Sequence, residues 1–155
     1  MAEFDVKNGK GIIPESAGKI PESAFEGCTD LKSIKIPSSV WKICDDAFSG
    51  CTGLTSIEIP SSVTSIGTEA FSGCTGLTSI VIPSSGTEIG EHVFSGCTSL
   101  KEVTFLGMVE DVDEGCFSAC PNLAKIKVPA NTRDDYEEIL CCCCDEDCSE
   151  LIEEQ

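Results

Sequence analysis

Residues 54–76 read LTSIEIPSSVTSIGTEAFSGCTG, and residues 77–99 repeat the pattern as LTSIVIPSSGTEIGEHVFSGCTS. This unit of 23 residues recurs in five copies without an insertion or a deletion. Three files of residues carry the register: Phe25, Phe48, Phe71, Phe94 and Phe117; Cys28, Cys51, Cys74, Cys97 and Cys120; Leu31, Leu54, Leu77, Leu100 and Leu123. Self-similarity at a fixed period of this size indicates a repeat architecture in which equivalent residues of successive units stack.

Further apolar positions keep the same register and fill the interior of each unit. They form files of Ile34, Ile57, Ile80, Val103 and Ile126; of Ile36, Ile59, Ile82, Phe105 and Val128; of Ile20, Ile43, Ile66, Ile89 and Val112; and of the small residues Ala24, Ala47, Ala70, Val93 and Cys116. One unit has only about six inward apolar side chains, too few to exclude water, whereas stacked units bury the same files from each neighbour. We therefore predict a solenoid with one continuous core.

Within a unit, the segment L-x-x-I-x-I-P has the period-two alternation of a strand. We expect parallel strands at 32–36, 55–59, 78–82, 101–105 and 124–128. Proline, which has no N–H for the ladder, should end each strand except the fourth, where Leu106 replaces it. The segment S-S-V-x-x-I predicts a second short strand on the opposite wall, and E-A-F-S-G-C predicts one helical or 3-10 turn ended by glycine.

These units closely resemble the BspA-type leucine-rich repeat, of which residues 59–80, IPSSVTSIGTEAFSGCTGLTSI, are typical. The resemblance covers about residues 12–129, and Val128 to Thr132 followed by Tyr136 looks like the usual closing segment of such arrays. It implies a right-handed coil with parallel strands on the concave face. We therefore expect a β-rich leucine-rich-repeat solenoid of 23-residue coils, with short helical or 3-10 turns on the other side and a C-terminal helical cap. The resemblance also implies a family often displayed on bacterial or protist surfaces as adhesins and protein-binding modules.

The chain divides into three expected segments. Residues 1–11 should fold across the open end of the array and cover it. Residues 12–129 hold a partial coil and about five repeats, and residues 130–155 form an acidic, cysteine-rich C-terminal cap. A solenoid needs such covers because its terminal coils otherwise expose an apolar face.

The C-terminal cap should begin with a helix. Thr132, followed by Arg133-Asp134-Asp135, has the pattern of an N-cap with acidic residues in the first turn. Tyr136, Ile139 and Leu140 have the spacing that places three side chains on one helical face, which could pack on the last coil. Residues 149–155 are expected to form a further short helical piece.

The charge of the chain limits its partners. It has 27 acidic and 10 basic residues, a formal net charge of −17. A field of this sign repels phosphate backbones, so no nucleic acid is expected, and no apolar run approaches the roughly 18–20 residues that span a bilayer, so no membrane insertion is expected. We expect a protein partner, such as a host or cell-surface protein, or self-association. The first twelve residues contain no signal peptide, which leaves two locations open: the cell surface or secreted space if a leader has been removed, and the cytoplasm if Met1 is native.

Twelve cysteines fall into two groups. The five in the period-23 file point the same way from stacked coils, which is poor geometry for a disulfide, so we expect a buried file of reduced thiols. The second group, Cys141 to Cys144 and Cys148, lies among Asp145, Glu146 and Asp147. A structural metal or disulfide, lipidation and an incidental cysteine-rich cap all stay open for this group, although four consecutive cysteines cannot all face one ion. No cofactor is expected.

Catalytic motifs are absent from the sequence. The single histidine, His92, shares the outward polar position of Asp46 and Glu69 and has no evident Cys or Ser partner. There is no G-x-S-x-G, no H-E-x-x-H and no glycine-rich phosphate loop, so we expect no enzyme activity. Trp41, the only tryptophan, also stands at an outward position, where we expect residues 1–11 to cover it.

Leucine-rich solenoids tend to bind through the concave strand face. The outward positions of the predicted strands are Ser33, Lys35, Ser56, Glu58, Ser79, Val81, Glu102, Thr104, Lys125 and Lys127. The first hypothesis is therefore a non-catalytic protein-interaction or adhesion module that binds through the solenoid surface. The alternative is a cytoplasmic scaffold, or a metal- or redox-sensing protein that uses the cysteine-rich tail.

Overall fold

The computed structural model of the chain describes residues 4–83 and 86–155. It is a solenoid whose short strands lie on two walls, which confirms the predicted fold. A helix, α1 (Arg133–Ile139), and a 3-10 turn, Ser149–Leu151, precede the last strand. The strands are β1 (Asp5–Lys7), β2 (Lys10–Ile12), β3 (Lys19–Ile20), β4 (Ser33–Ile34), β5 (Lys42–Ile43), β6 (Ser65–Ile66), β7 (Ser79–Ile82), β8 (Glu88–Ile89), β9 (Glu102–Phe105), β10 (Asp111–Val112), β11 (Lys125–Val128) and β12 (Ile152–Glu154).

One wall is a parallel sheet of two-residue strands in the order β10-β8-β6-β5-β3. The second residue of each strand is the buried member of a period-23 file, namely Ile20, Ile43, Ile66, Ile89 and Val112. The second strand predicted in each unit is therefore confirmed. Because two-residue strands make few hydrogen bonds, burial of the isoleucine file contributes most of the stability of this wall.

The opposite wall carries the longer strands, and we call it the concave face. Here β12, β11, β9 and β7 form one parallel sheet, and β1, β2 and β4 form another, in which β1 and β2 are an antiparallel hairpin. The strands predicted at 78–82, 101–105 and 124–128 are confirmed as β7, β9 and β11, and the strand predicted at 32–36 is shortened to β4. The strand predicted at 55–59 is wrong, because only Glu58 forms a bridge, with Lys35.

The two sheets of this wall are interrupted at residues 55–57. On one side, the N–H groups of Lys32 and Ser33 both donate to the carbonyl of Gly9, at 2.7 and 3.1 Å, which holds β4 on the hairpin. On the other side, the carbonyl of Thr55 accepts a hydrogen bond from Thr78 N–H, at 3.3 Å. The register of the strands continues through the interruption in the Lys35–Glu58 bridge.

Each E-A-F-S-G-C segment is a turn with two left-handed residues. The first are Ser23, Asp46, Glu69, His92 and Gly115, and the second are Gly27, Gly50, Gly73, Gly96 and Ala119. The predicted glycine is confirmed in four turns, but the turn is not a regular helix because a left-handed residue already precedes the phenylalanine. This backbone directs amides at the neighbouring coil: Phe48 N–H donates to the Ala70 carbonyl, and Gly50 N–H donates to the Ser72 carbonyl, both over 2.8 Å.

The phenylalanine file runs through the whole array as a column of parallel rings. Successive centroids from Phe25 to Phe117 are 5.3, 5.1, 5.5 and 5.8 Å apart, with interplanar angles of 6, 3, 9 and 7°. All five rings are at most 2% exposed. The alignment predicted from the sequence is therefore confirmed, and each ring needs a neighbouring coil to be buried.

The N-terminal end of the array is closed by the hairpin. Phe4 packs edge-on against Phe25, the first ring of the column. The two ring centroids are 6.1 Å apart, and the ring planes are inclined at 73°. β2 pairs in parallel with β4, so the hairpin also extends the sheet. Residues Asn8 and Gly9, with φ of 52° and 76°, form its turn.

The C-terminal end is closed by α1 and by the segment that follows it. Tyr136 is fully buried, its ring lies 4.8 Å from Phe105, and its hydroxyl donates to the Gly107 carbonyl over 2.5 Å. The N-cap expected at Thr132 is only positional, because the Thr132 hydroxyl donates to the Pro129 carbonyl. The Glu154 carboxylate instead accepts a hydrogen bond from Arg133 N–H, the first N–H of the helix, over 3.1 Å. The Arg133 guanidinium donates to the carbonyls of Ile152 and Ser149 and so ties α1 to β12.

The cysteine-rich tail forms a further coil of the solenoid. Gly115 N–H donates to the Cys142 carbonyl over 2.9 Å, and Phe117 N–H donates to the Cys143 carbonyl over 2.7 Å. The equivalent amides of each earlier turn also bond to the following coil, but their two acceptors lie two residues apart instead of adjacent. β12 then pairs in parallel with β11. The helical piece expected at 149–155 is limited to the 3-10 turn, and the remaining residues form this strand because β11 offers it a free edge.

The ring column leads to a test of stability. Phe71 is fully buried between two parallel rings, so Phe71→Ala should lower the free energy of unfolding by about 3–5 kcal/mol through lost burial and the cavity left behind. Trp41→Ala, at a side chain that is 44% exposed, is the control and should cost far less. Urea unfolding followed by circular dichroism measures both; equal losses for the two variants would contradict the stacked core.

Candidate interaction surface

The concave face presents two rows of outward side chains. In the confirmed strands the burial alternates, so Ile80, Val103 and Ile126 point into the core and their neighbours point out. One row is set by the pairs Ser79↔Glu102 and Lys125↔Glu102, and the other by Val81↔Thr104 and Lys127↔Thr104. Six of the ten predicted positions are thus brought together on one continuous sheet: Ser79, Val81, Glu102, Thr104, Lys125 and Lys127.

The other four predicted positions lie on the N-terminal half of the same wall. Ser33 is opposite Lys10 of β2, and Lys35 is opposite Glu58. Ser56 lies in the interrupted part, outside any strand. All four side chains are exposed, so this half offers a more open surface than the half that contains Glu102, Thr104 and Lys127, which are half-buried.

The sequence reading missed both edges of this wall. Lys10 and Ile12 of the hairpin extend the rows at one edge, where Ile12 is 39% exposed, and Glu153 of β12 extends them at the other, opposite Lys127. Asn-Gly flanked by short alternating segments is the strongest local signal for a hairpin, and Asn8-Gly9 is such a pair. The Asn8-Gly9 pair could therefore have identified the hairpin edge. The edge formed by β12 has no residues in the period of 23 that would predict it.

The cations in the C-terminal half of the face are already paired. Lys127 Nζ lies 2.7 Å from Glu102 Oε1, and Lys125 Nζ lies 3.7 Å from Glu153 Oε2. The hydrogen bond between the first two raises the pKa of Lys127 and lowers the pKa of Glu102. These are solvent-exposed pairs that add little stability, but they leave this half nearly neutral.

Lys35 and Glu58 differ from those pairs. Their backbones form the bridge, but neither side chain belongs to an ion pair in the part of the chain that the structure describes. Val81, on the row of Glu58 one strand further, is 44% exposed. The centre of the face therefore offers a cation, an anion and an apolar side chain side by side.

The ladder cysteines form one file, in which Cys51, Cys74 and Cys97 are buried and the two end members, Cys28 and Cys120, are half-buried. The three buried thiols each donate to a phenylalanine carbonyl of the preceding coil: Cys51 to Phe25 over 3.1 Å, Cys74 to Phe48 over 3.2 Å and Cys97 to Phe71 over 3.3 Å. Burial raises the pKa of these three thiols to about 12, so they are not nucleophiles. These thiols fill space in the core and donate hydrogen bonds to backbone carbonyls that point into the core.

The tail cysteines are divided between the core and the surface. Cys143 is fully buried, and burial raises its pKa to about 12. Cys144 and Cys148 share a hydrogen bond that raises the pKa of Cys144 and lowers the pKa of Cys148. Cys141 and Cys142 are exposed, with their sulfurs 3.5 Å apart. Among the described residues, no group of three or more His, Cys, Asp or Glu side chains is arranged to hold a metal ion.

His92 and Trp41 each lie against a glycine of a neighbouring coil. His92 has a φ of 52°, and its imidazole lies against Gly115, where an added Cβ would come within 2.2 Å of Nδ1. The described part of the N-terminal segment, residues 4–11, does not cover Trp41, contrary to expectation; residues 1–3 lie outside the described residues. Trp41 lies beside Gly18, with Lys19 Nζ 5.0 Å from the ring, and is 44% exposed. The hairpin cannot cover it because β2 is committed to the opposite wall, beside β4.

Parallel coils that repeat one set of buried Phe, Cys and Leu residues define a leucine-rich-repeat solenoid. The sequence matches the BspA type leucine rich repeat region in six copies over residues 13–144, and the chain belongs to that family. The sixth copy agrees with a tail that forms a further coil. Members of this family are typically protein-interaction or adhesion modules and are typically non-catalytic.

Several solved bacterial proteins have the same fold. A leucine-rich repeat protein from Bacteroides ovatus is 38% identical, with 77% of this chain and 32% of that chain covered and a TM-score of 0.66. A leucine rich cell surface protein from Faecalibacterium prausnitzii is 33% identical, with 79% and 32% covered and a TM-score of 0.63. The pneumococcal vaccine antigen PcpA, at 20% identity with 94% and 40% covered and a TM-score of 0.67, is similar in fold alone.

The chain spans only 32% to 40% of the length of these three proteins. A comparison with curated proteins gave no match. Within the described ranges, no helix has the length and apolar character needed to cross a membrane.

The burial of the thiols leads to a prediction for their reactivity. In the native protein at pH 8 under non-oxidising conditions, a thiol reagent such as 5,5′-dithiobis(2-nitrobenzoate) should label Cys141 and Cys142 first. Cys51, Cys74 and Cys97 should react only as the protein unfolds, because a pKa of about 12 leaves on the order of one thiol in ten thousand ionised. Mass spectrometry of the labelled peptides identifies the sites, and rapid labelling of the ladder without urea would contradict the buried column.

Proposed function

We propose that this chain is a non-catalytic protein-interaction or adhesion module that binds its partner through the concave face. The proposed contact residues are Ser33, Lys35, Ser56, Glu58, Ser79, Val81, Glu102, Thr104, Lys125 and Lys127. The observation that carries the proposal is the exposed centre of this face, where Lys35, Glu58 and Val81 stand side by side with no ion pair among the described residues.

The interior of the molecule supports a binding role over a catalytic one. The buried side chains of the described residues are apolar or thiol groups, apart from Thr87 and Tyr136. Burial raises the pKa values of the thiols in the core, namely Cys51, Cys74, Cys97, Cys116 and Cys143, whereas a hydrogen bond with Cys144 lowers the pKa of Cys148. A nucleophile or general base needs a pKa near the working pH and a partner group within reach. A rigid framework with varied outward residues instead suits recognition.

The chemistry of the face restricts the partner. A complementary protein would place a carboxylate near Lys35, a cation near Glu58 and an apolar side chain on Val81. Eight strand positions at about 4.8 Å, with about 12 Å of each strand, give an area on the order of 400 Å², against roughly 800 Å² per partner in a standard interface. We therefore expect weak binding by one copy, strengthened by the loop edges or by several copies acting together.

The test compares two sets of substitutions in the whole chain. Lys35→Ala, Glu58→Ala, Val81→Ala and Thr104→Ala together should weaken partner binding by about tenfold or more without unfolding the protein. Lys42→Ala, Ser65→Ala and Glu88→Ala, on the outward side of the opposite wall, are the control. Quantitative mass spectrometry of proteins captured from a cell-surface extract should show a set that the wild type and control retain and the concave variant loses. If the concave variant captures the same proteins as wild type, the concave face is not the binding site.

The alternative function, a metal- or redox-sensing scaffold that uses the tail, draws on the exposed sulfurs of Cys141 and Cys142 and on the Cys144–Cys148 hydrogen bond. The lack of a metal-suited group among the described residues counts against the metal version. If the tail senses redox state, hydrogen peroxide should oxidise two tail thiols to a disulfide. The two thiols give up two protons and two electrons, and the peroxide takes them up to form two water molecules. Peptide mapping that finds every tail thiol still reduced would reject it.

A further inference from the structure

The wall opposite the concave face, formed by β3, β5, β6, β8 and β10, carries an ordered row of charges. We call this wall the back wall. The first residue of each of its strands points outward, and the strand pairing aligns these residues in the row Lys19, Lys42, Ser65, Glu88 and Asp111. Two cations therefore stand together at one end of the row and two anions at the other, with a serine between them.

Each end of this row places like charges side by side. Lys19 is directly opposite Lys42, and Glu88 is directly opposite Asp111, on strands about 4.8 Å apart. Like charges in directly opposite positions of a sheet destabilise it. Within the described ranges, none of these four side chains belongs to an ion pair of the chain. The row thus holds one pair of cations and one pair of anions that could neutralise each other but lie too far apart to meet.

The row is complementary to itself about its centre. When two copies of the chain face each other across their back walls, a two-fold axis that runs parallel to the strands and passes over Ser65 reverses the order of the strands. Lys42 of one copy then lies over Glu88 of the other, and Lys19 lies over Asp111. Each contact occurs twice, as it does in an isologous dimer.

The neighbouring row contains the exposed tryptophan. Each of its members precedes a member of the charged row by one residue, and they are Gly18, Trp41, Thr64, Thr87 and Glu110. Trp41 is 44% exposed, whereas Thr87 is fully buried. Because Trp41 and Thr87 lie one strand to either side of Thr64, the row has a protruding ring and a position without an outward side chain at symmetric places.

The same axis places the tryptophan of each copy over the Thr87 position of the other. The indole lies against Gly18, where an added Cβ would come within 3.2 Å of Nε1, so the N–H edge of the ring is directed towards β3. In the second copy this direction leads towards β10, where Glu110 is exposed and belongs to no ion pair of the described chain. The ring therefore meets open backbone, and its N–H meets a carboxylate.

We propose that the chain forms a symmetric dimer through the back wall, with a second copy of itself as the partner. Lys19 and Lys42 of each copy face Asp111 and Glu88 of the other, and the two Trp41 rings lie on either side of the axis. The order of the charges supports this occupant, because a partner of a single charge sign would fit only half of the row. An exposed tryptophan near the centre of such a surface is typical of an interface hot spot.

The dimer should be weak. Five strands about 4.8 Å apart, with about 16 Å of chain on each, give on the order of 400 Å² per copy, against roughly 800 Å² per partner in a standard interface. The net charge of −17 on each chain also opposes association, although physiological salt screens this repulsion beyond about 8 Å. We therefore expect a dissociation constant on the order of 100 μM to 1 mM.

This proposal goes beyond the proposed function and does not depend on it. Both concave faces stay exposed in the dimer and point away from each other, so two copies can bind a multivalent partner together. The control variant described above, with Lys42→Ala, Ser65→Ala and Glu88→Ala, should be monomeric. An affinity resin already presents many copies side by side, so this variant should still capture the wild-type set of proteins, and failure of one proposal is distinguishable from failure of the other.

The test exchanges charges across the axis. Lys42→Glu places carboxylates face to face in the dimer, and Glu88→Lys places lysines face to face. In sedimentation equilibrium of the full chain, under reducing conditions and at about 150 mM salt, each variant alone should associate at least tenfold more weakly than wild type. An equal mixture of the two variants should associate to within a few-fold of wild type, because each new charge then faces its opposite.

Control variants separate the contact from the net charge. Lys101→Glu and Glu26→Lys make the same changes of net charge at exposed positions outside the back wall, so they should change self-association by less than about twofold. If repulsion between acidic chains alone governed association, Glu88→Lys and Glu26→Lys would both strengthen it. That result would overturn the proposal.

Trp41 reports on the interface directly, because it is the only tryptophan of the chain. As the concentration of the chain rises, its fluorescence should shift to shorter wavelength and become less accessible to acrylamide. Trp41→Ala should weaken association by about tenfold. A chain that stays monomeric up to about 2 mM, above the expected dissociation constant, would overturn the proposal. So would single variants that do not associate when mixed, or association that leaves Trp41 as accessible as it is in the monomer.

Discussion

The structure depends on in-register contact between like residues of successive coils. Each phenylalanine ring lies nearly parallel to the next at 5.1 to 5.8 Å, and the N–H of each phenylalanine in the array donates to the next coil over 2.7 to 2.9 Å. One coil alone could bury neither its ring nor its Ile files. The stability of the array is therefore a property of neighbouring layers, and the two ends are the places where it must be completed.

This constraint also determines where recognition can occur. The inward residues are committed to stacking, so variation that does not disturb the core is confined to outward positions and to the terminal coils. The concave face is made of such outward positions, with Lys35, Glu58 and Val81 exposed at its centre.

The period of 23 was enough to predict the solenoid, the ring column, the thiol file and most strands, because each depends on residues that recur in every unit. The period could not predict features that depend on contacts between segments of different sequence. The hairpin β1–β2, which pairs with β4, has no counterpart in the period. The tail coil was missed because α1 lengthens the spacing, so Cys143 follows Cys116 by 27 residues instead of 23. The concave residues follow from strand alternation, but their ion pairs join unlike positions, such as Lys127 and Glu102.

The most direct test of the stacking rule is deletion of one whole unit, residues 54–76, which would bring Phe48 next to Phe94 in register. Near-ultraviolet circular dichroism and urea unfolding measure whether the shortened chain folds. The account predicts a cooperatively folded protein with a lower transition midpoint, whereas deletion of residues 54–65 alone, which breaks the register, should leave the chain without a cooperative transition. If both deletions unfold the chain equally, or neither changes its stability, the coils do not stack as equivalent layers.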